Sequence, residues 1–280
     1  MGAAWCRLVE QAQPPRYRQF NDPVVGGLLD PMLTMMAQMG PMRDQLLAAL
    51  GPGTYGAQVM RTRYIDDVVS DRVEAGISQL VILGAGLDTR AYRMASLAAT
   101  TVFDVDRPGT QRYKLKKLRR TPPRARDVRF VPTDFNLHSL GEVLTAAGLD
   151  HQRPVMFVWE GVTQYLTEAA VRSTLSLVGE SAPGSTIVLT YILRRVIADG
   201  SWGEGDVRDL LGSSEPWRFG LEPTQLRAFL GEFGLELVED VGEAEYQARY
   251  LNPIWRQLPV NHIERVAVAT VLPGFTRLAG

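Results

Sequence analysis

The sequence predicts an α/β protein with a seven-stranded, mostly parallel sheet, an amino-terminal helical cap and a lid insertion. Three observations support this fold class. The apolar run from Leu80 to Leu83 stops at two glycines one residue apart. Further short apolar runs then alternate with helical segments, which is typical of a parallel sheet with right-handed crossovers. Polar side chains follow several of these runs, at the edge where such sheets bind ligands.

The first element is the cap, for which we predict a domain over residues 1–76. Pro31 to Leu50 is Met-rich and apolar at helical spacing, and a second helix, Gln58 to Ala75, follows a Gly-Pro-Gly break. We interpret the methionines as core residues, with a pliable cap over an apolar acceptor as the alternative. The second predicted domain, residues 77–280, contains the sheet.

A strand, a glycine loop and a helix start follow the cap. Gly84 and Gly86 allow a tight turn and a close approach of the backbone to a ligand. A dinucleotide fingerprint needs glycine where Thr89 stands, so that motif is incomplete. Asp88 lies where a pyrophosphate would sit, and a carboxylate there repels phosphate but not a cationic ligand. The loop therefore predicts a Rossmann-like site for a cofactor other than a dinucleotide.

Three later strand ends complete the predicted site. Asp106 ends the second strand, twenty residues after Gly86, where an acid accepts hydrogen bonds from ribose hydroxyls; Asp104 is the less favoured candidate. Asp134 and Phe135 follow the third strand, and an acceptor beside an aromatic ring suits adenine. The fourth strand delivers Glu160 to the same edge.

The same kinds of sequence pattern, apolar runs and the composition of the segments between them, predict the remaining strands and a lid. A segment rich in Gly, Ser, Trp and charge, about 193–220, is predicted to be a lid over the substrate. The last two strands are separated by a long connection from Gly242 to His262. Strands are expected near residues 79–84, 101–105, 128–132, 154–160, 185–191, 235–241 and 264–271.

With these motifs the chain resembles the class I S-adenosylmethionine-dependent methyltransferases. Within that class it resembles the leucine carboxyl methyltransferase family, which includes bacterial polyketide O-methyltransferases. The resemblance is close over roughly residues 55–195. The segments that carry it are R-T-R-Y-I-D-D (61–67), L-G-A-G-L-D-T-R (83–90), F-D-V-D-R-P (103–108), T-D-F-N (133–136) and W-E-G-V-T-Q-Y-L (159–166).

The resemblance implies S-adenosyl-L-methionine as cofactor and a role for each matching residue. Arg63 resembles the arginine that pairs with the methionine carboxylate, and Arg61 is the alternative for that role. The other implied contacts are Gly84 and Gly86 with the methionine moiety, Asp106 with the ribose, Asp134 and Phe135 with the adenine, and Glu160 with the amino group.

The acceptor is less well defined by the sequence. The resemblance and the shortage of histidines favour methylation of a carboxylate, which at a pKa of about 4 is already ionised, over a phenol, which benefits from a base. Tyr165, Arg249 and His262 are possible substrate contacts, and Arg194 and Arg256 are alternatives to Arg249. We expect a small-molecule or peptide acceptor from a biosynthetic pathway. The alternatives are hydroxyl methylation, an NAD-dependent oxidoreductase and a non-catalytic nucleotide-binding protein.

The composition of the chain limits the classes of partner that it is expected to bind. The formal net charge of −1 predicts no general attraction to nucleic acid or to a membrane. Residues 112–126 hold eight basic residues and no acid, which we interpret as a solvated helix and loop, with a phosphate-contacting face as the alternative. Cys6 is the only cysteine, which together with the absence of a signal-peptide pattern predicts a cytoplasmic protein without a metal site. The oligomeric state is not predicted.

Overall fold

Seven strands form one sheet in the computed structural model, which describes residues 2–133, 139–198 and 216–274. All seven predicted strands are confirmed, with ends that differ by no more than about two residues. The strands are β1 (Gln79–Leu83), β2 (Thr101–Asp106), β3 (Asp127–Pro132), β4 (Met156–Trp159), β5 (Thr186–Ile192), β6 (Leu235–Val241) and β7 (Glu264–Val271).

The strand order is β3-β2-β1-β4-β5-β7-β6. Strands β1 to β5 are parallel, and β7 runs antiparallel to both β5 and β6. The predicted fold class, a mostly parallel seven-stranded sheet, is therefore confirmed. Strands β1, β4 and β5 are buried along their whole length, as expected when helices cover both faces.

Helices surround this sheet. The four at the amino end precede the long helix that packs beside β1. In chain order the helices are α1 (Gly2–Gln11), α2 (Val25–Leu28), α3 (Pro31–Gln38), α4 (Gly40–Ala49), α5 (Thr54–Glu74), α6 (Arg90–Arg93), α7 (Pro108–Leu118), α8 (Leu140–Ala146), α9 (Glu168–Gly179), α10 (Arg194–Ala198), α11 (Pro223–Gly231) and α12 (Glu243–Tyr246). Short helical turns cover Ala95–Ala99, Thr163–Tyr165, Gln247–Leu251 and Asn252–Ile254.

The alternation of side chains along each strand creates two hydrophobic cores. On β1, Val81 and Leu83 enter the core beneath α8, α9 and α11, while Leu80 and Ile82 enter the core beneath α5. Full burial of each such aliphatic side chain contributes roughly 1.5–3 kcal/mol. The two cores hold the carboxyl ends of β1, β2 and β4 at one edge, which is where the candidate site lies.

The amino-terminal helices differ from the prediction in several respects, and one of them is that α5 begins at Thr54 and not at Gln58. The expected helix from Pro31 to Leu50 is two helices, α3 and α4, joined at Met39. Pro41 explains the break, because in a continuous helix its ring would clash with the carbonyl group four residues earlier. It also has no N–H group to donate to that carbonyl. Met32, Met35 and Met39 are 55%, 49% and 46% exposed, so their interpretation as core residues is wrong.

The predicted lid lies only partly within the described residues. Its first part contains α10, and Leu193 pairs with Leu221 across its base. Residues 199–215 lie outside the described residues. Among the described helices, none is both long and apolar enough to cross a bilayer.

Candidate functional site

The glycine loop after β1 forms the floor of the site. Gly84 and Gly86 have φ angles of 66° and 49°, a backbone conformation that favours glycine. A Cβ atom on Gly84 would lie 2.5 Å from Cγ2 of Val162, so this position also requires a residue without a side chain. The Gly86 N–H donates to Asp106 Oδ2 at 2.5 Å, which ties the loop to the end of β2.

A cavity of about 610 Å³ opens around this loop, within the usual size range for small-molecule sites. Its walls come from α1, α5, α7 and the end of β4. The lining residues with charged or aromatic side chains are Arg7, Asp30, Arg61, Asp88, Tyr113 and Glu160. Asp106 is not among the lining residues, and it reaches the cavity only through its hydrogen bond to Gly86.

Glu160 lies between two arginines at the end of β4. Its Oε1 accepts from Arg61 Nε at 2.9 Å and its Oε2 accepts from Arg90 Nη1 at 2.7 Å. Arg61 also donates through Nη1 to both oxygens of Glu264, at 2.7 and 2.9 Å. Burial alone would raise the pKa of Glu160, but Arg90 and Arg61 outweigh it and hold that pKa well below its ordinary value.

The same network continues beneath the loop. Arg90 pairs with Asp88 and with Asp66, at 2.8 Å for the latter, and Arg93 donates to both oxygens of Asp66. Burial opposes ionisation of Asp88, but Arg90 holds its pKa below the ordinary value. Of the carboxylates that line the cavity, Asp88 and Glu160 are therefore ionised at neutral pH.

Helix α1 closes one side of the cavity through Arg7. The Arg7 Nη2 group donates to the carbonyl of Leu87 at 2.6 Å, and Nε donates to Asp22 at 3.1 Å. Asp22 also accepts from the Thr89 hydroxyl at 2.7 Å. The amino-terminal segment is thus hydrogen-bonded directly to the glycine loop, and loop position depends on residues more than sixty positions earlier.

The structure places Arg61, and not Arg63, in the cavity wall. Arg63 is half-exposed and makes two hydrogen bonds of 3.0 Å to Asp67, with a third to the carbonyl of Gln19. Residues two positions apart on an α-helix are separated by about 200° around the helix axis. The two arginines therefore project from opposite sides of α5. Arg61 was the alternative on the sequence, and of the two arginines it is the one that lines the cavity.

None of the three possible substrate contacts lines the cavity. Tyr165 is half-buried in the turn after β4, and His262 is exposed just before β7. Arg249 pairs with Glu239 and lies 5.9 Å from the ring centroid of Tyr64. Asp134 and Phe135, the predicted adenine contacts, lie outside the described residues.

Asp104 and Asp106 have different environments. Asp104 is 2% exposed and is paired with Lys114 within the sheet layer. Asp106 is half-buried at the strand end, and its Oδ1 accepts from the Arg107 N–H at 2.6 Å. Of the two carboxylates, Asp106 is therefore the more accessible one at the sheet edge.

Sequence reasoning missed Arg7 and Glu264 entirely. Arg7 lies in a helix with no motif around it, and Glu264 belongs to the last strand, 203 positions after its partner Arg61. No local pattern marks either residue. Arg90, by contrast, stands inside the L-G-A-G-L-D-T-R segment, where the basic residue two positions after Asp88 was an available signal.

The chain belongs to the leucine carboxyl methyltransferase family, whose profile matches residues 1–179. Curated relatives include proteins from Mycobacterium sp. strain JLS, 36% identical over 190 residues, and from Streptomyces coelicolor, 38% identical over 140 residues. Both are named "putative S-adenosyl-L-methionine-dependent methyltransferase". The first alignment covers 62% of this chain and 60% of the relative, and the second covers 50% of each, so the chain matches only part of their length.

Two solved structures share the fold. A DUF574 family protein from Streptomyces avermitilis has a TM-score of 0.60 at 17% identity and covers 97% of both chains. A protein from Thermobifida fusca has a TM-score of 0.55 at 19% identity and covers 93% of this chain and 99% of its own. At these identities the comparison establishes the fold alone.

Proposed function

We propose that this protein binds S-adenosyl-L-methionine in the cavity around Gly84 and methylates an oxygen atom of a small-molecule or peptide acceptor. One observation carries the proposal. The glycine loop, an arginine and an ionised glutamate from three separate elements meet in one cavity of about 610 Å³. Family membership and the names of the relatives support the same cofactor.

The donor set fits the methionine end of this cofactor. Within the described residues, Arg61 uses Nε and Nη1 for carboxylates, whereas its Nη2 makes no hydrogen bond. A guanidinium with a remaining N–H pair suits a ligand carboxylate. Glu160 suits the ammonium, because each carboxylate oxygen retains a lone pair after one hydrogen bond.

The other end of the cofactor is assigned to the sheet edge. Asp106 would accept from the ribose hydroxyls, while Gly84 and Gly86 allow the backbone to approach the methionine moiety closely. Asp134 and Phe135 remain the proposed adenine contacts on the strength of the resemblance.

Charge favours this cofactor over a dinucleotide. The cavity lining contains two arginines, Arg7 and Arg61, and three carboxylates, Asp30, Asp88 and Glu160. Its net negative charge attracts S-adenosylmethionine, which carries a net positive charge at neutral pH, and repels the pyrophosphate of NADH. The arginine pairs of Asp88 and Glu160 keep both groups ionised.

The residues that line the cavity also indicate which kind of methyl acceptor the protein uses. Bound S-adenosylmethionine supplies an electrophilic methyl group on a sulfonium, so the protein's task is to orient and desolvate the reactants. No histidine belongs to the described cavity lining, and the lowered pKa values of Asp88 and Glu160 make both weak bases. An acceptor that is already ionised, such as a carboxylate, needs no base. We therefore propose carboxyl methylation, with hydroxyl methylation as the second candidate.

Calorimetric titration with S-adenosylhomocysteine, with NADH in parallel, tests the cofactor assignment. We expect micromolar binding of the former alone. Arg61→Lys should weaken that binding at least tenfold, since a lysine ammonium cannot hold Glu160 and Glu264 as the planar guanidinium does and also donate to the ligand carboxylate. Arg63→Lys, two residues away on the same helix, is the matched control and should leave it unchanged. Binding of NADH alone would overturn the proposal in favour of an oxidoreductase.

Methyl transfer is tested next with radiolabelled cofactor and a panel of carboxylic acids and phenols. A carboxyl methyl ester releases volatile methanol in mild alkali, whereas an aryl methyl ether does not, so one treatment distinguishes the two acceptors. Cofactor binding without transfer to any member of either class would support the non-catalytic alternative.

A further inference from the structure

The basic residues of the chain are concentrated on α7 and the turn after it. Residues 107–126 hold nine of the 30 basic residues and none of the 31 acidic ones. Some of these cations are used internally, since Lys114 pairs with buried Asp104 and Lys117 donates to the carbonyl of Leu29 at 3.1 Å. Six more are exposed and form no ion pair with any residue in the described ranges. Four of these six lie on α7 or within two residues of its end; they are Arg112, Lys116, Arg119 and Arg120.

Exposed apolar side chains lie on α7 itself and on α3. On α3 and its carboxyl end, Met32, Met35 and Met39 follow the i, i+3, i+7 spacing of one helix face. On α7, Tyr113 and Leu115 are 39% and 44% exposed. In the described part of the chain these five are the majority of the eight exposed large hydrophobic residues.

The two helices share one rim of the cavity. The Tyr113 hydroxyl donates to the carbonyl of Leu28 at 2.8 Å, and Lys117 reaches Leu29, immediately before α3 begins. Tyr113 and Asp30, the N-cap of α3, both line the cofactor cavity. We call the exposed residues of α3 and α7 the cationic rim; it consists of Met32, Met35, Met39, Arg112, Tyr113, Leu115, Lys116, Arg119 and Arg120.

We propose that the cationic rim binds the surface of an anionic lipid bilayer. Each Lys or Arg near such a surface contributes favourable energy, and exposed apolar side chains beside them insert among the headgroups. Nucleic acid would use the cations but not a row of exposed methionines. The proposal departs from the expectation of no membrane partner, and it replaces the interpretation of residues 112–126 as a solvated helix and loop.

This inference adds to the proposed function without depending on it, because lipid binding is measured without cofactor. Its consequence is that the cavity opens beside the bound surface, since Tyr113 and Asp30 belong to its wall. An acceptor dissolved in the lipid, such as an apolar carboxylic acid, would then reach the cavity without crossing water.

Vesicle sedimentation with the full chain tests the proposal. We expect binding to vesicles of phosphatidylcholine with about a third phosphatidylglycerol, weak binding to phosphatidylcholine alone, and loss of binding as salt rises. The variant R112E/K116E/R119E should bind the anionic vesicles at least about tenfold more weakly. The variant M32S/M35S should bind severalfold more weakly. Both change exposed residues, and unchanged thermal unfolding would show that the fold is intact.

Matched controls lie at the far edge of the sheet. Arg227→Glu on α11 and Val238→Ser on β6 alter an exposed cation and an exposed apolar residue there, and both should bind like the unmodified protein. Three results would overturn the proposal: no binding to anionic vesicles, equal binding by the rim variants, or binding to a DNA duplex or polyglutamate with none to vesicles. The single variant K116E, if folded and partly weakened, supports it independently of the triple change.

Discussion

Replacing Glu160 with glutamine separates the charge of this residue from its shape. The carboxylate is only 11% exposed in its side chain, and each oxygen accepts from a different buried arginine, at 2.9 Å from Arg61 and 2.7 Å from Arg90. Glutamine keeps one acceptor oxygen but presents an amide group to a guanidinium. Breaking a buried ion pair by removing one partner costs about 3–5 kcal/mol.

We place the expected loss for Glu160→Gln at about 3 kcal/mol, because one acceptor survives and Arg61 and Arg90 retain other carboxylates. In a protein of this size that loss lowers the thermal midpoint by roughly 6–12 °C. Glu168→Gln is the control, since Glu168 pairs with Arg172 at the exposed surface and such a pair contributes only about 0.3–0.5 kcal/mol. Calorimetric unfolding at pH 7 measures both.

The pH dependence of the same comparison gives a second check. The folded-state pKa of Glu160 lies well below its ordinary value of 4.5, so its contribution to stability is fully present above that value. It is lost as the pH falls from 4.5 toward the folded-state pKa. The difference between the unmodified protein and Glu160→Gln should therefore be constant from pH 6 to 8 and shrink in acid. Equal stability of the two proteins at pH 7 would refute the network as described.

Three further predictions concern the loop, the ribose contact and the cysteine. Asp106→Ala should weaken S-adenosylhomocysteine binding by about 1–3 kcal/mol in calorimetry, through lost hydrogen bonds, and unchanged affinity would remove Asp106 from the site. Gly84→Ala should destabilise the fold by roughly 1–3 kcal/mol because of its φ of 66° and the contact with Val162. Adding Val162→Ala to this variant should restore part of the lost stability. If it restores none, backbone strain is the whole cause of the loss. Burial raises the pKa of Cys6 to about 12, so a thiol reagent at pH 8 should modify it only in denaturant, and rapid labelling of the folded protein would contradict its burial.

The strands were predictable because burial on both faces leaves a signal in consecutive residues. Apart from Gln79 at the start of β1, the residues of β1, β4 and β5 are apolar or small, and each strand is fully buried. The glycine loop was predictable for a related reason, since positive φ and close approach restrict the residue type at Gly84. These are local requirements that a single sequence expresses directly.

The choice between Arg61 and Arg63 was not predictable in the same way. Helix α5 buries three consecutive residues, Met60, Arg61 and Thr62, so its sequence has no clear polar face from which to read an orientation. The partners that identify Arg61 come from β4 and β7, far along the chain. Only the assembled sheet brings these carboxylates together.

Asp88 shows how an electrostatic argument from sequence can be incomplete. Its carboxylate was expected to act as a lone negative charge at the loop. The structure pairs it with Arg90, which in turn contacts Asp66 on α5 and Glu160, the residue after β4. The conclusion that the loop disfavours phosphate still follows, but it rests on the net charge of the whole cavity lining.

The position of β7 has a consequence for how the chain folds during its synthesis. Among the strands described, β7 is last in the chain, yet it lies between β5 and β6 and supplies the pairing edge for both. A nascent chain that stops near Gly242 contains β6 but not yet β7, so β6 has no neighbour in the sheet and the apolar edge of β5 stays open to other chains. Translation pauses in this region should therefore be the point at which the protein most needs a chaperone.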